Sequence, residues 1–354
     1  MSLPVVIAGL SSCESGGPLF DDEGDCSVKV QFVYNKHRQA LHSINGIGHD
    51  AFSNSVSSVH LFIYDAESGD LVYEKKEKAA NLKSAAELNI GSTTEKSFLP
   101  VDLNPGKYRL VAWCGLDDND QNNAFELTGD DTKGKFKTMT VKKNSSSGHP
   151  VNSEKYEAVY HGKVESVEVT LNSGGQIIPV ELTKDTNDIA VWVQHTTATF
   201  ADGDYYVVYK DANGTVNFDD NSLADENLLE YHAHTTSLLT SDSEYNGSTV
   251  EAGALIAHIS TSRLMQHRQD DARIEVRNKA GETVYSLPLI KYLTQMQTFT
   301  SDHQYYLDCE DTYNCTFYLT GEKEDPSTGA WVPMQIIINN WVIVPPQSGE
   351  LSGN

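Results

Sequence analysis

Ser27-Val28-Lys29-Val30-Gln31-Phe32-Val33-Tyr34 is the stretch on which the fold class turns. Val28, Val30, Phe32 and Tyr34 fall on one side of an extended backbone, and Ser27, Lys29 and Gln31 on the other. This period of two belongs to a strand that covers a core with one face and meets water with the other. The signal recurs on moving outward. Val59 to Tyr64 and Leu71 to Tyr73 flank the turn segment Asp65-Ala66-Glu67-Ser68-Gly69-Asp70 and predict a hairpin. Asn104-Pro105-Gly106 joins a fixed φ to a residue free to take positive φ, launching a core strand at Tyr108 to Trp113. Phe136 to Val141 predicts an edge strand, and Tyr156 to His161 the last strand before Gly162.

Past the polar stretch Lys143 to Pro150, alternation restarts at Val164 and continues through Ile178 to Leu182 and Ile189 to Val193. Asn213-Gly214, between Tyr205 to Val208 and Val216 to Phe218, predicts a two-residue type I′ hairpin. Leu289, Leu293 and Met296 stand at helical spacing, and Ser301-Asp302-His303-Gln304 has the form of a capping box. The last strand is read as the apolar run Met334 to Val344, stopped by Pro345-Pro346. The pattern is all-β: a signal remnant and tether at 1–25, a sandwich at 26–163, and a second sandwich at 164–354 with one or two short helices.

A chain of 354 residues suits two such domains, each able to bury its own core. With 26 Lys+Arg against 50 Asp+Glu, the formal charge of -24 repels a phosphate backbone, so nucleic acid is excluded as a partner. No run approaches the ~20 apolar residues of a membrane-spanning helix.

Leu10-Ser11-Ser12-Cys13 follows the apolar stretch Pro4 to Leu10 and has the lipobox pattern, aliphatic then two small residues then cysteine. On this reading Cys13 carries the lipid and Glu14 to Asp25 is a flexible acidic tether. On the other it is an incidental thiol, since Met1-Ser2-Leu3 lacks the basic residues that open a signal peptide. Of the remaining four cysteines, Cys26 with Cys114 and Cys309 with Cys315 are candidate disulfides, with buried thiols as the alternative.

The search for chemistry returns none: no G-x-S-x-G, no H-E-x-x-H, no phosphate loop and no dinucleotide fingerprint. Asp118 to Asn122 resembles a calcium loop but has Asn123 in place of the loop glycine and Gly129 in place of the bidentate glutamate. His232-Ala233-His234 has no third ligand at a matching interval, and Asp219-Asp220-Asn221 reads as turn composition. No cofactor, metal or small-molecule substrate is expected, and no enzyme activity.

Several segments, in order and spacing, resemble the Bacteroidales fimbrial anchor lipoproteins, the FimB-type relatives of the fimbrillins. They are Cys13 after its lipobox, Asp25-Cys26-Ser27-Val28, Asp50-Ala51-Phe52 before Val56 to Asp65, Leu103 to Trp113, Tyr160-His161-Gly162, Tyr306-Leu307-Asp308 and Ile336 to Trp341. The resemblance implies two transthyretin-like sandwiches and a surface-exposed outer-membrane lipoprotein at the fimbrium base that holds a shaft subunit and limits fimbrial length. It further implies assembly by strand exchange, a form of β-augmentation. Shaft subunits of the family are cut near an arginine in the first domain, whereas anchors keep that segment; Arg38, just after the first strand, could be cut in principle. Ile336, Ile338 and Trp341 are the candidate subunit contacts, or else simply the last core strand. The competing functions are a surface glycan-binding lipoprotein, for which tyrosines and tryptophans would stack on sugars, and a fimbrial tip adhesin.

Overall fold

The computed structural model describes residues 27–37, 50–116, 125–128, 138–141, 150–171, 174–195, 200–239, 244–245, 248–249, 253–296, 302–320 and 331–343. Its first half contains β1 (Ser27–Val33), α1 (Phe52–Ser55), β2 (Ser58–Asp65), β3 (Leu71–Lys78), β4 (Lys83–Ser84), β5 (Lys96–Asp102), β6 (Gly106–Cys114), β7 (Phe125–Thr128), β8 (Thr138–Val141), β9 (Val151–Asn152), β10 (Tyr160–Val169) and β11 (Ile177–Lys184). The second half contains β12 (Thr186–His195), β13 (Tyr205–Asp211), β14 (Thr215–Asn217), β15 (Leu229–His232), β16 (Thr235–Leu239), β17 (Glu244–Tyr245), β18 (Ser248–Thr249), β19 (Ala254–Ser262), β20 (Arg273–Asn278), β21 (Thr283–Leu287), α2 (Leu289–Gln295), α3 (His303–Cys309), β22 (Thr312–Thr320), β23 (Val332–Ile338) and β24 (Trp341–Ile343).

Strand β1 has the alternating burial its sequence dictates, with Val28, Val30 and Phe32 fully buried. It lies between β5, antiparallel, and β11, parallel. The facing sheet runs β3-β2-β6-β10, and β11 pairs with the start of β10 to close the corner between the two. Gly162 sits at that corner opposite Leu182. A Cβ there would stand 2.7 Å from Val180 Cγ1 and 2.8 Å from the Glu181 carbonyl, so the close approach requires glycine. Val169, Ile178, Val180 and Leu182, read from the alternation as the opening of the second sandwich, pack on the first core, and Ile189, Val191 and Val193 are the first of that run to face the second.

Strand β2 and the second half of β6 are buried on both sides. Val59, Leu61, Ile63, Leu110 and Ala112 face the first core, while Phe62, Tyr64, Val111 and Trp113 face a second core that runs on as far as Ile338. This explains why β2 reads as a near-continuous apolar run. The halves are also laced together by pairing. β8 of the first half pairs with β7 and with β14 of the second, and β9 pairs in parallel with β15. The second sandwich stacks a six-stranded sheet, β16-β19-β12-β22-β23-β24, on a five-stranded one, β21-β20-β13-β15-β9.

The covering piece between the halves is a short arm. Val216 bridges to Leu223, and Phe218 to Asn221 form the tip between them. Phe218 packs edge-on against Phe62 at 4.9 Å, and its carbonyl accepts from Trp113 Nε1 at 3.0 Å. Asp219 pairs with Arg109, whose guanidinium also lies 4.7 Å over the Tyr64 ring, and with Lys163 at 3.2 Å. The acidic turn at 219–221 is thus a latch onto the first sandwich.

Two local expectations are corrected here. Asn213-Gly214 does not turn a hairpin: β13 pairs with β15 and β20, and neither residue has positive φ. Asn213 is buried, donating to the Ser262 and Arg263 carbonyls and accepting from Tyr231 Oη, and a Cβ on Gly214 would meet Leu229 at 2.8 Å. The pair is selected for a tight buried crossing. At α3 the cap is Asp302, whose carboxylate accepts from the Tyr305 N–H at 2.9 Å, in place of Ser301, which lies outside the described residues. Helix α2 forms where Leu289 and Leu293 predict it.

Candidate functional site

The C-terminal run read as one strand is a hairpin. Asn339 and Asn340 take φ of 46° and 71°, the paired positive values of a type I′ turn, and Ile338 faces Trp341 across it. Asn fits because its short polar side chain lowers the cost of the left-handed region. The turn is clamped to β22: Asn339 N–H donates to the Asn314 carbonyl at 2.9 Å, and Asn314 N–H donates to Asn339 Oδ1 at 2.8 Å. The base is fixed by Trp331, buried against His195 and Tyr205 with ring centroids 4.7 Å away.

Within this frame the candidate contact residues part company. Ile336 and Ile338 lie opposite Phe317 and Cys315 and are buried in the second core, the last-core-strand alternative of the two readings the sequence offers for them. Trp341 and Val342 are 53% and 57% exposed, and Val332 and Met334 add exposed apolar surface on β23. β24 ends the six-stranded sheet, and no described strand pairs with its outer side. Trp341 flanks a two-residue turn and forms the hydrogen-bonded pair with Ile338. Val342 is next in the alternation, so its N–H and C=O point away from β23.

That edge contrasts with the edge of the first sandwich. β3 reads Leu-Val-Tyr-Glu-Lys-Lys-Glu-Lys, the charged dress that blocks edge-to-edge pairing. β24 carries Trp-Val-Ile and no charge. A rigid, apolar, uncharged edge can accept an extended segment: main-chain groups supply adhesion, and Trp341 and Val342, on opposite faces, supply grip.

The other sequence candidates are placed as follows. Cys13, Cys26 and Arg38 lie outside the described residues, as does the calcium-like loop at 118–122. The Cys309–Cys315 bridge is corrected: both are free buried thiols, as is Cys114. Cys309 ends α3 beside Tyr34 and Tyr305, whereas Cys315 points from β22 into the second core beside Tyr285. Burial raises the Cys309 thiol to about 11 and Cys315 to about 12, with Cys114 pushed further up. Thiolates are the reactive form, so iodoacetamide at neutral pH is expected to label these three only after denaturation. Peptide mass spectrometry of native and unfolded protein checks this, and native labelling at Cys315 would contradict the packing.

His232 stacks on Tyr206 at 5.8 Å, and His234 lies 6.4 Å from His258. Among the described residues no group of three His, Cys, Asp or Glu side chains is placed to hold a metal. No described helix is long and apolar enough to cross a membrane.

A family model described as the fimbrillin-A associated anchor proteins Mfa1 and Mfa2 matches residues 20–345. The chain belongs to this family. The Mfa2 family is a structural, fimbrial-anchor type and not an enzyme family, and membership makes the chain a fimbria-associated surface protein with a fimbrial partner. No curated protein matches it. Among solved structures, a proposed polysaccharide-binding protein of Bacteroides thetaiotaomicron is 22% identical, with a TM-score of 0.68 over 91% of this chain and 99% of its own. A proposed adhesin of Bacteroides ovatus is 20% identical, with a TM-score of 0.69 over 94% and 98%. The fimbrial anchor protein Mfa2 of Porphyromonas gingivalis is 17% identical, with a TM-score of 0.60 over 90% and 98%. At these identities the likeness carries the fold, which bears out the all-β, two-sandwich expectation.

Proposed function

We propose that the protein is the membrane-proximal anchor of a fimbria, held in the outer membrane by lipid on Cys13 and holding the first shaft subunit by β-augmentation at the outer edge of β24. The observation that carries this reading is the uncharged, exposed edge at Trp341 and Val342 on an otherwise acidic protein. An anchor must also keep its own first strand. β1 is central in its sheet, and Lys36 just beyond it donates to Thr183 Oγ1 at 3.0 Å and lies 3.7 Å from Asp308 Oδ2. Retaining β1 keeps the first core closed and leaves the C-terminal edge as the place for exchange. Holding the shaft at its base also limits how far it grows before release.

Two acyl signals or more hold a protein in a bilayer where one does not. Cys13→Ser is therefore expected to move the protein from the outer-membrane fraction to the medium and to leave fimbriae shed or abnormally long. Fractionation with immunoblotting and negative-stain electron microscopy of the variant strain checks both. Membrane retention of the variant would remove the lipid from the proposal, and normal attached fimbriae in a strain lacking the protein would remove the anchor.

A further inference from the structure

Three segments converge on a small space where the halves meet: Asp185, the single residue between β11 and β12; the arm, through Gly214 and Asn221; and Ser262-Arg263 at the end of β19. Asp185, Asn221 and Ser262 are 1%, 3% and 4% exposed. Asn221 Nδ2 donates to Asp185 Oδ1 at 2.5 Å. Left over are Asp185 Oδ2, Asn221 Oδ1 and Ser262 Oγ, buried and without a hydrogen-bond partner among the described residues. Buried polar groups in native proteins are satisfied by protein or by ordered water.

The inventory is two acceptors and one hydroxyl. A water molecule has two protons to donate and lone pairs to accept one, which matches it. The space is the size of one water, and the three leftover oxygens belong to residues that line it. A calcium ion would use the same oxygens but takes six to eight of them, and three are left over here.

We infer that the junction is a built site for one ordered water, hydrogen-bonded to Asp185, Asn221 and Ser262, which ties the inter-sandwich link, the arm and β19 into one unit. The site also makes the junction sensitive to pH. Asp185 is faced by Arg263 from the β19 side, Lys36 from the end of β1 and Asp308 from α3. Burial outweighs these, and the carboxyl rises from 3.8 to about 7. A folded-state value above the unfolded one gives stability that is fully present below pH 3.8 and lost as pH rises through about 7.

The test uses the full chain. A crystal structure showing ordered solvent is expected to place one peak at hydrogen-bonding distance from Asp185 Oδ2, Asn221 Oδ1 and Ser262 Oγ. Thermal melts are expected to be the same in calcium chloride and in EDTA, and the Asp185 contribution to Tm to fall between about pH 4 and about pH 7. The isosteric Asp185→Asn is expected to reduce that fall and Ser262→Ala to retain it. A dry space, or a peak with six or more short oxygen contacts together with a rise in Tm on adding calcium, would overturn the water. An equal pH response in the wild type and Asp185→Asn would remove Asp185 as its source.

Discussion

Phe218→Ala is expected to lower the stability of the folded chain by about 3–5 kcal/mol, the cost of emptying an aromatic site in a core. The ring is 1% exposed and lies edge-on to Phe62 and 6.3 Å from Trp113. The substitution isolates the ring, because the Phe218 carbonyl that accepts from Trp113 Nε1 is main chain and stays. Relaxation cannot readily refill the space from β2 and β6, which carry Phe62 and Trp113 and are paired on both sides. Asp219→Ala, one residue on, is expected to cost less: Asp219 is 30% exposed on its side chain, and ion pairs in that setting contribute about 0–1 kcal/mol each. Urea denaturation of the wild type and both variants measures the difference. A loss under about 1 kcal/mol for Phe218→Ala would mean the ring does not seal the two cores together. Because β8 pairs with β14 and β9 with β15, pairings the substitution leaves in place, the wild type and Phe218→Ala are both expected to unfold in one transition.

The elements that were legible in the sequence are those whose residues answer to one local rule. β1 alternates because it has one core face, β2 and β3 bracket a turn rich in Asp, Ser and Gly, and α2 repeats Leu289 and Leu293 at helical spacing. What was not legible depends on partners distant in the chain. Residues 164–184 alternate as well as any new strand pair, and nothing local says that they close the old core through β11. Asn213-Gly214 and Asn339-Asn340 make the same point in opposite directions. The first has the stronger turn composition but is a buried crossing, since Tyr231, Ser262 and Leu229 close around it. The second sits inside an apolar run that favours an uninterrupted strand, yet it turns the chain.

That misread turn is also why the site was only partly legible. With the run taken as one strand, Ile336, Ile338 and Trp341 share a role. Folded back on itself, the run buries the isoleucines and leaves Trp341 exposed at an edge. The latch at Phe218 and Asp219 had no signal of its own, because an acidic turn after an apolar residue is ordinary loop composition.

The edge itself gives the sharpest functional expectation. Val342→Pro is expected to abolish capture of the shaft subunit while the protein stays folded. The N–H that proline removes is the one pointing away from β23, so the Ile338–Trp341 pair and the Asn339–Asn314 clamp are untouched, and proline is tolerated on an edge strand in that orientation. Trp341→Ala leaves every main-chain group in place and is expected to weaken binding by about 30-fold or more, corresponding to the ~2 kcal/mol typical of truncating an aromatic anchor. Charge reversal at Lys75 on the guarded edge β3 is expected to change neither. Titration calorimetry with the purified shaft subunit and an unchanged circular dichroism melt read out all three. Undiminished affinity in a chain carrying both Val342→Pro and Trp341→Ala would move the contact away from β24, whereas loss through Lys75 would place it on the first sandwich. A selective loss at β24 would make the absence of charge on its three residues the feature that separates the edge meant to be paired from the one meant to stay alone.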